Sequence, residues 1–182
     1  MIDLYIEFVK HNIILSSFIQ FAILGLLGEY AGIWVSEKRF SKAFTVPQAL
    51  LKSLGWGLLG ILIKYAFTGF VAFTNGLIAH HLLPASFISV WVFSFLTSFF
   101  MNTLFGPQLM FLHRYIDNLI VGGKGFKGIE GALKTLIWFW IPAHTITFTL
   151  PVEFRIGLAA LWSVVLGVIL GFFKQKSGEK TG

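Results

Sequence analysis

The sequence predicts an all-α protein: a multi-spanning transmembrane helix bundle, with five spans the expected count and four or six the alternatives. Three observations carry this. The 182 residues have a mean hydropathy of +0.80 and only 12% are charged, against about a quarter in a soluble domain. The apolar residues fall into runs of a length suited to roughly 30 Å of hydrocarbon. The basic residues gather at alternate ends of those runs, as membrane orientation requires. One domain, 1–182, is expected, ending in a polar tail at 177–182.

The first run covers 13–35, enough to cross with some tilt. The second is 50–73, the third 85–105, the fourth 135–150 and the fifth 156–173. The fourth is short, and a preceding stretch is expected to extend it. Lys38, Arg39, Lys42 and Lys52, the last just inside the second run, are counted with the first loop region, and Arg114, Lys124, Lys127 and Lys134 with the loop between the third and fourth. Lys174, Lys176 and Lys180 follow the fifth, whereas Lys10 and Arg155 alone fall on the other side. This asymmetry places the N-terminus outside and the C-terminus inside, which requires an odd number of spans.

Residues 105–121 are harder to place. Gly106-Pro107 should break or kink the third span. Beyond it His113, Arg114, Asp117 and Asn118 share one helical face, while Leu109, Leu112, Tyr115, Ile116 and Leu119 cover the rest. This reads as an amphipathic continuation near the cytoplasmic interface; a deeper course would change the span count.

The stretch 138–155, W-F-W-I-P-A-H-T-I-T-F-T-L-P-V-E-F-R, carries Pro142, His144, Thr145, Thr147, Thr149 and Pro151. Lipid offers no partner to a polar group. His144 and the Trp138 carbonyl freed by Pro142 must therefore turn towards protein or trapped water, so this helix is expected inside the bundle, bent at Pro142.

Glu29 and Lys64 are the charges well inside apolar runs. Each either snorkels to the interface or lines a wet cavity. Their depths differ by roughly 12 Å on upright helices at ~1.5 Å per residue, so a hydrated cavity is expected between them rather than a direct ion pair. With Asn102 and His144 they form the candidate pore or cavity line: Glu29, Lys64, Asn102 and His144. Gly25, Gly28 and Gly32 in the first run and Gly55, Gly57, Gly60 and Gly69 in the second permit close helix packing, and a homo-oligomer through these faces is the sharper alternative. Trp34, Trp138, Trp140, Phe172 and Phe173 read as interfacial anchors.

Other classes are disfavoured. Without cysteine, disulfides, thiol catalysis and cysteine metal sites are excluded. His80-His81 is poor ligand geometry, and no H-x-x-x-H spacing, phosphate loop or nucleophile elbow occurs, so no metal, no cofactor and no enzyme are expected. The net charge of +6 follows from loop lysines and arginines, so nucleic acid is not an expected partner. The acidic N-terminus, M-I-D-L-Y-I-E, lacks the cationic start of a secretory signal, so the first run is expected to be retained.

The glycines, prolines and isolated charges together resemble the Mpv-seventeen/peroxisomal membrane protein family of small integral proteins. Gly28-Glu29 resembles the family's early G-D. Residues 55–67 resemble its G-x-x-x-x-G-P-x-x-H-x-W-Y, with Gly55 and Gly60 in register, Lys64 at the histidine place, Phe67 at the tyrosine place and Ile61 standing for the proline. Trp140, Pro142, Phe148, Pro151, Arg155 and Trp162 resemble the closing W-P…F-x-x-V-P-x-x-x-R…W, with Ile141 inserted after Trp140. The resemblance implies a pore or weakly selective channel. The expected function is thus a channel or carrier passing a small-molecule or ion solute through the lipid bilayer. The alternative is a non-transporting structural or accessory subunit. A prokaryotic cell membrane is the expected location, an organelle membrane the alternative.

Overall fold

The computed structural model describes residues 2–40, 43–126 and 128–179, all of whose regular elements are helical. Lys42, Lys127, Lys180 and the last residues of the expected polar tail lie outside them. In order, α1 is Ile2–His11, α2 Ile13–Glu37, α3 Val46–Ala79, α4 Val90–Leu104, α5 Gly106–Val121, α6 Ile129–Thr135, α7 Ile141–Thr149 and α8 Val152–Glu179. A 3₁₀ turn, Ala85–Ile88, precedes α4, and a π turn, Leu136–Trp140, joins α6 to α7.

Local chemistry sets several boundaries. Lys38 ends α2 in the left-handed region, φ 54°. Thr45 and Gln48 form a reciprocal capping box that starts α3 at Val46, with Pro47 in the first turn where its missing N–H costs nothing. Gly122, φ 72°, ends α5. The expected second run therefore starts too late: α3 has 34 residues, roughly 50 Å at 1.5 Å per residue, and outruns the hydrocarbon. The final helix likewise runs beyond the expected 173 to Glu179, into the stretch read as tail.

Three helices have the length and apolarity to cross a membrane: α2, α3 and the Val152–Lys174 part of α8. A fourth span arises if α4 and α5 count as one, bent by 49° at the Phe105–Pro107 junction. That bend is where Gly106-Pro107 placed it. The segment α6–π turn–α7 is broken into pieces of 7, 5 and 9 residues.

The surface is apolar and the interior holds much of the small polar chemistry. Tyr65, Trp91, Leu104, Leu119, Ile137 and Leu161 are exposed, while Ser16, Thr74, Ser94, Thr97, Ser98, Asn102 and Thr147 are buried. Soluble folds bury their aliphatics and expose their polar groups; this distribution instead suits a lipid surround, which is compatible with a membrane location. The buried hydroxyls stay satisfied by bonding carbonyls one turn back, as Thr74 does to Phe70 (2.9 Å) and Thr147 to Ala143 (2.9 Å). An apolar core of Phe21, Ile63, Phe67, Met101, Phe148 and Ile156 ties α2, α3, α4, α7 and α8 together.

Helices α2 and α8 meet backbone to backbone. A Cβ on Gly167 would lie 2.1 Å from the Gly28 carbonyl oxygen, and one on Gly28 would lie 2.6 Å from that of Ser163. The small-residue pair Gly28 and Gly32 thus packs inside this chain. Gly57 and Gly60 receive Phe18 and Phe21 of α2. At the opposite end of the bundle α1 folds onto α8. The Tyr5 hydroxyl lies 3.0 Å from Gln20 Oε1 and 3.2 Å from the Glu153 carbonyl, and Lys10 lies 3.9 Å from Glu153. Burial pushes the Tyr5 phenol above its usual range, against the Gln20 contact.

Two placements differ from the sequence reading. Lys52 is no loop cation: the capping box puts it in the second turn of α3, with its side chain only 3% exposed. And α5 turns its polar stripe inwards, with Phe111, Leu112, Tyr115 and Leu119 exposed and His113, Arg114 and Asp117 partly covered. The periodicity was legible; the stripe faces inwards because His113 and Asp117 meet partners on α2 and α3.

Candidate functional site

Those partners are Glu29 and Lys52. The Lys52 ammonium lies 2.7 Å from Glu29 Oε2 and forms a second, shorter contact with Asp117 Oδ1. It also sits 4.8 Å from the centre of the Phe44 ring. Trp56 Nε1 donates to Glu29 Oε1 at 2.6 Å, and the Trp56 ring lies 4.4 Å from that of His113. His113 Nε2 approaches Glu29 Oε1 at 3.9 Å. Three helices thus supply two carboxylates, one ammonium and one imidazole to a single point. With the imidazole neutral, the group carries one net negative charge.

Donor atoms of Glu29, His113 and Asp117 lie within 4.8 Å of one another, a set of nitrogen and oxygen ligands that a divalent ion accepts. The spacing that brings two of them together is His113-x-x-x-Asp117, one helical turn, rather than the paired-histidine spacing sought in the sequence. Here Lys52 already supplies the positive charge, and an ion would have to displace it.

A second polar group lies deeper. His144, on α7, is buried, and its Nδ1 lies 3.2 Å from Asn102 Nδ2 and 3.3 Å from Oδ1 on α4; the imidazole tautomer sets the direction of that bond. Asn102 Nδ2 also donates to the Ser98 carbonyl at 2.8 Å, and Ser98 Oγ donates to the Ile141 carbonyl at 2.8 Å. Trp140 stacks on the imidazole at 5.0 Å and Phe67 meets it edge-on at 5.3 Å. The π turn delivers this geometry. Ile141 N–H reaches back five residues to the Leu136 carbonyl, which inserts one residue just before Pro142 and absorbs the backbone disruption proline brings. Thr145 adds a donor to the Ile141 carbonyl at 2.7 Å.

Three spaces surround these groups. An inner cleft of about 400 Å³ is walled by α2, α5, α8 and the π turn and includes Glu29, His113, Arg114, Trp140 and Lys174. A small apolar pocket of about 70 Å³ shares Trp56, Met110, His113 and Trp140 with that cleft and reaches Asn102 and His144. An outer cleft of about 300 Å³ is lined by Asn75, Ser94, Phe148, Thr149 and Arg155. Between pocket and outer cleft stands an aromatic wall in which Phe67 contacts both His144 and Phe148, the latter at 4.8 Å.

Of the four sequence candidates, Asn102 and His144 come together and line the pocket, and Glu29 lines the inner cleft. Lys64 is on the lining of none of the three spaces. None of the three spaces has both Glu29 and Lys64 on its lining, and the cation beside Glu29 is Lys52. Lys52, Trp56, His113, Arg114 and Asp117 were not among the candidates. The Thr45–Gln48 capping signal, which starts α3 four residues earlier than hydropathy does, was the cue for Lys52. Comparison with protein-family models, curated proteins and solved structures finds no match to this chain.

Proposed function

We propose that the chain is an integral membrane carrier or channel that passes a small-molecule or ion solute through the bundle interior. The observation that carries this reading is the stacking of a cleft, a pocket and a second cleft along the bundle, with polar side chains at each stage and aromatic rings between them. The two closures, Trp56 and Trp140 on one side and Phe67 and Phe148 on the other, favour a carrier that opens to one side at a time over a standing pore.

Five passes fit this reading: α2, α3, α4 with α5, the α6–π turn–α7 segment, and α8. Supporting it, Lys10 of α1 pairs with Glu153 at the start of α8, and Asn75 near the end of α3 shares a cleft with Thr149 and Arg155. Glu29, Arg114 and Lys174 gather at the other end. With the lysine and arginine bias this corresponds to N-terminus out and C-terminus in. The resemblance to the Mpv-seventeen/peroxisomal membrane protein family points to the same class of activity, in a prokaryotic cell membrane or, as the alternative, an organelle membrane. A homo-oligomer would need a face other than Gly28 and Gly32, which α8 occupies.

The second reading, a structural or accessory subunit, draws on the pairing of Glu29, Lys52 and Asp117 and of Asn102 with His144. Flux into liposomes by the purified protein, with solutes graded in size and charge, separates the two. Transport predicts saturable, selective flux that falls when Phe148→Trp crowds the outer closure. Flux equal to protein-free liposomes for every solute would leave the accessory reading.

A further inference from the structure

We propose that the inner cleft is a binding site for an amphipathic anion, a carboxylate or phosphate head on an apolar body. This names the ligand class of the cleft used in the transport reading, although binding itself needs no transport. Arg114 is the central observation. Its guanidinium is partly covered in the cleft wall and has neither an ion pair nor a hydrogen bond among the described residues. A guanidinium offers five donors in a planar fork suited to carboxylate or phosphate, and partial removal from water without a partner is costly. Lys174, on the same lining, is likewise free of an ion pair among the described residues.

A second observation is independent of charge. The Trp140 indole Nε1, in the wall between cleft and pocket, is buried with no hydrogen-bond partner among the described residues. Buried donors are normally satisfied, and one on the same lining as two cations unpartnered among the described residues points to a missing acceptor. The carboxylate on the lining, Glu29, does not repel a ligand as a free charge would. Both its oxygens are engaged, one by Lys52 and one by Trp56. Asp117 is held by the same Lys52, off the inner cleft's lining. Most of the remaining wall is apolar, with Ile33, Met110, Leu166 and Leu170 among the glycines, and Ser36, Thr135 and Ser163 add hydroxyls to it. A head at Arg114 and Lys174 with an apolar body along that wall satisfies each group.

Octanoate and neutral 1-octanol, titrated against the full chain in phosphatidylcholine nanodiscs and followed by calorimetry and tryptophan fluorescence, test this. Octanoate should bind saturably and octanol should not compete. Arg114→Gln should weaken binding about tenfold, the loss of one charge-assisted hydrogen bond. Lys174→Gln and Trp140→Phe, which remove one charge and one N–H with little change of shape, should each weaken it less, and Arg39→Gln not at all. Repeating the titration in phosphatidylglycerol nanodiscs separates the sources. Lost octanoate binding there supports the site with an anionic lipid as occupant, and retained binding supports a soluble acid. No saturable binding in phosphatidylcholine, or equal affinity for wild type and all three cleft variants, overturns the proposal. Binding without flux would overturn the transport reading alone.

Discussion

Replacing Lys52 with methionine removes the positive member of a three-charge group while keeping much of the side-chain volume. Glu29 and Asp117 would then face each other across the vacated position, and the net charge would go from minus one to minus two. Removing one partner of a buried ion pair costs about 3–5 kcal/mol, because the remaining charge stays desolvated. The Glu29 and Asp117 side chains keep 18% and 24% exposure, so water relieves part of this and the lower end, about 3 kcal/mol, is expected. For a chain of this size that is roughly 6–12 °C in Tm. The decisive comparison is the triple variant Lys52→Met, Glu29→Gln, Asp117→Asn, which empties the site of charge. Replacing a whole buried ionic group is often neutral, so the triple variant should melt within about 1 kcal/mol of wild type. Thermal unfolding in one detergent, followed by tryptophan fluorescence, reads all of them. If the single variant loses under about 1 kcal/mol, or the triple variant is as unstable as the single, the buried-charge reasoning fails.

Gly167→Ala should cost about 3 kcal/mol or more, since the new methyl meets the Gly28 backbone at 2.1 Å and neither helix has a side chain that can yield. Gly69→Ala, with nothing within 4 Å, should instead gain up to about 1 kcal/mol from helix propensity; the two melts must differ in sign. His144→Phe should cost about 1–2 kcal/mol in the same assay by leaving Asn102 short of a partner, and adding Asn102→Leu should recover part of it. If the double variant is no better than the single, hydrogen bonding is not what holds the pair. Single cysteines at Asn75 and Lys124, in a chain without native cysteine, should label from opposite faces of the membrane with an impermeant reagent. Labelling of both from one face would defeat the five-pass topology.

Hydropathy and proline made much of the architecture legible: the long apolar helices, the break at Gly106-Pro107, and the inward place of His144. It failed where partners decide orientation. The periodic stripe of His113, Arg114 and Asp117 says that α5 has two faces, but which one turns inwards depends on Glu29 and Lys52, which lie far earlier in the chain. Lys52 was assigned to a loop because a lysine near the end of an apolar run normally snorkels outwards. Lys64 drew attention by its depth in the run, yet depth in sequence does not say whether a side chain points to a cavity. The π turn has no sequence signal beyond the W-F-W-I-P cluster.

On the five-pass reading, the inward stripe of α5 also implies a sequence of events during insertion. A helix bearing Arg114, Asp117 and His113 on one side cannot settle in lipid alone at acceptable cost, since each charge adds about 3 kcal/mol on translocon scales. The α2–α3 hairpin precedes it from the ribosome and brings Glu29 and Lys52 together, so the receptor for that stripe exists before α5 emerges. Lys52 then acts in time as well as in space, as the docking point that lets a polar helix leave the interface. A nascent chain carrying Lys52→Met and arrested beyond Gly122 should therefore keep Asp117 open to protease or to a cysteine reagent, whereas the wild-type chain at the same length should protect it.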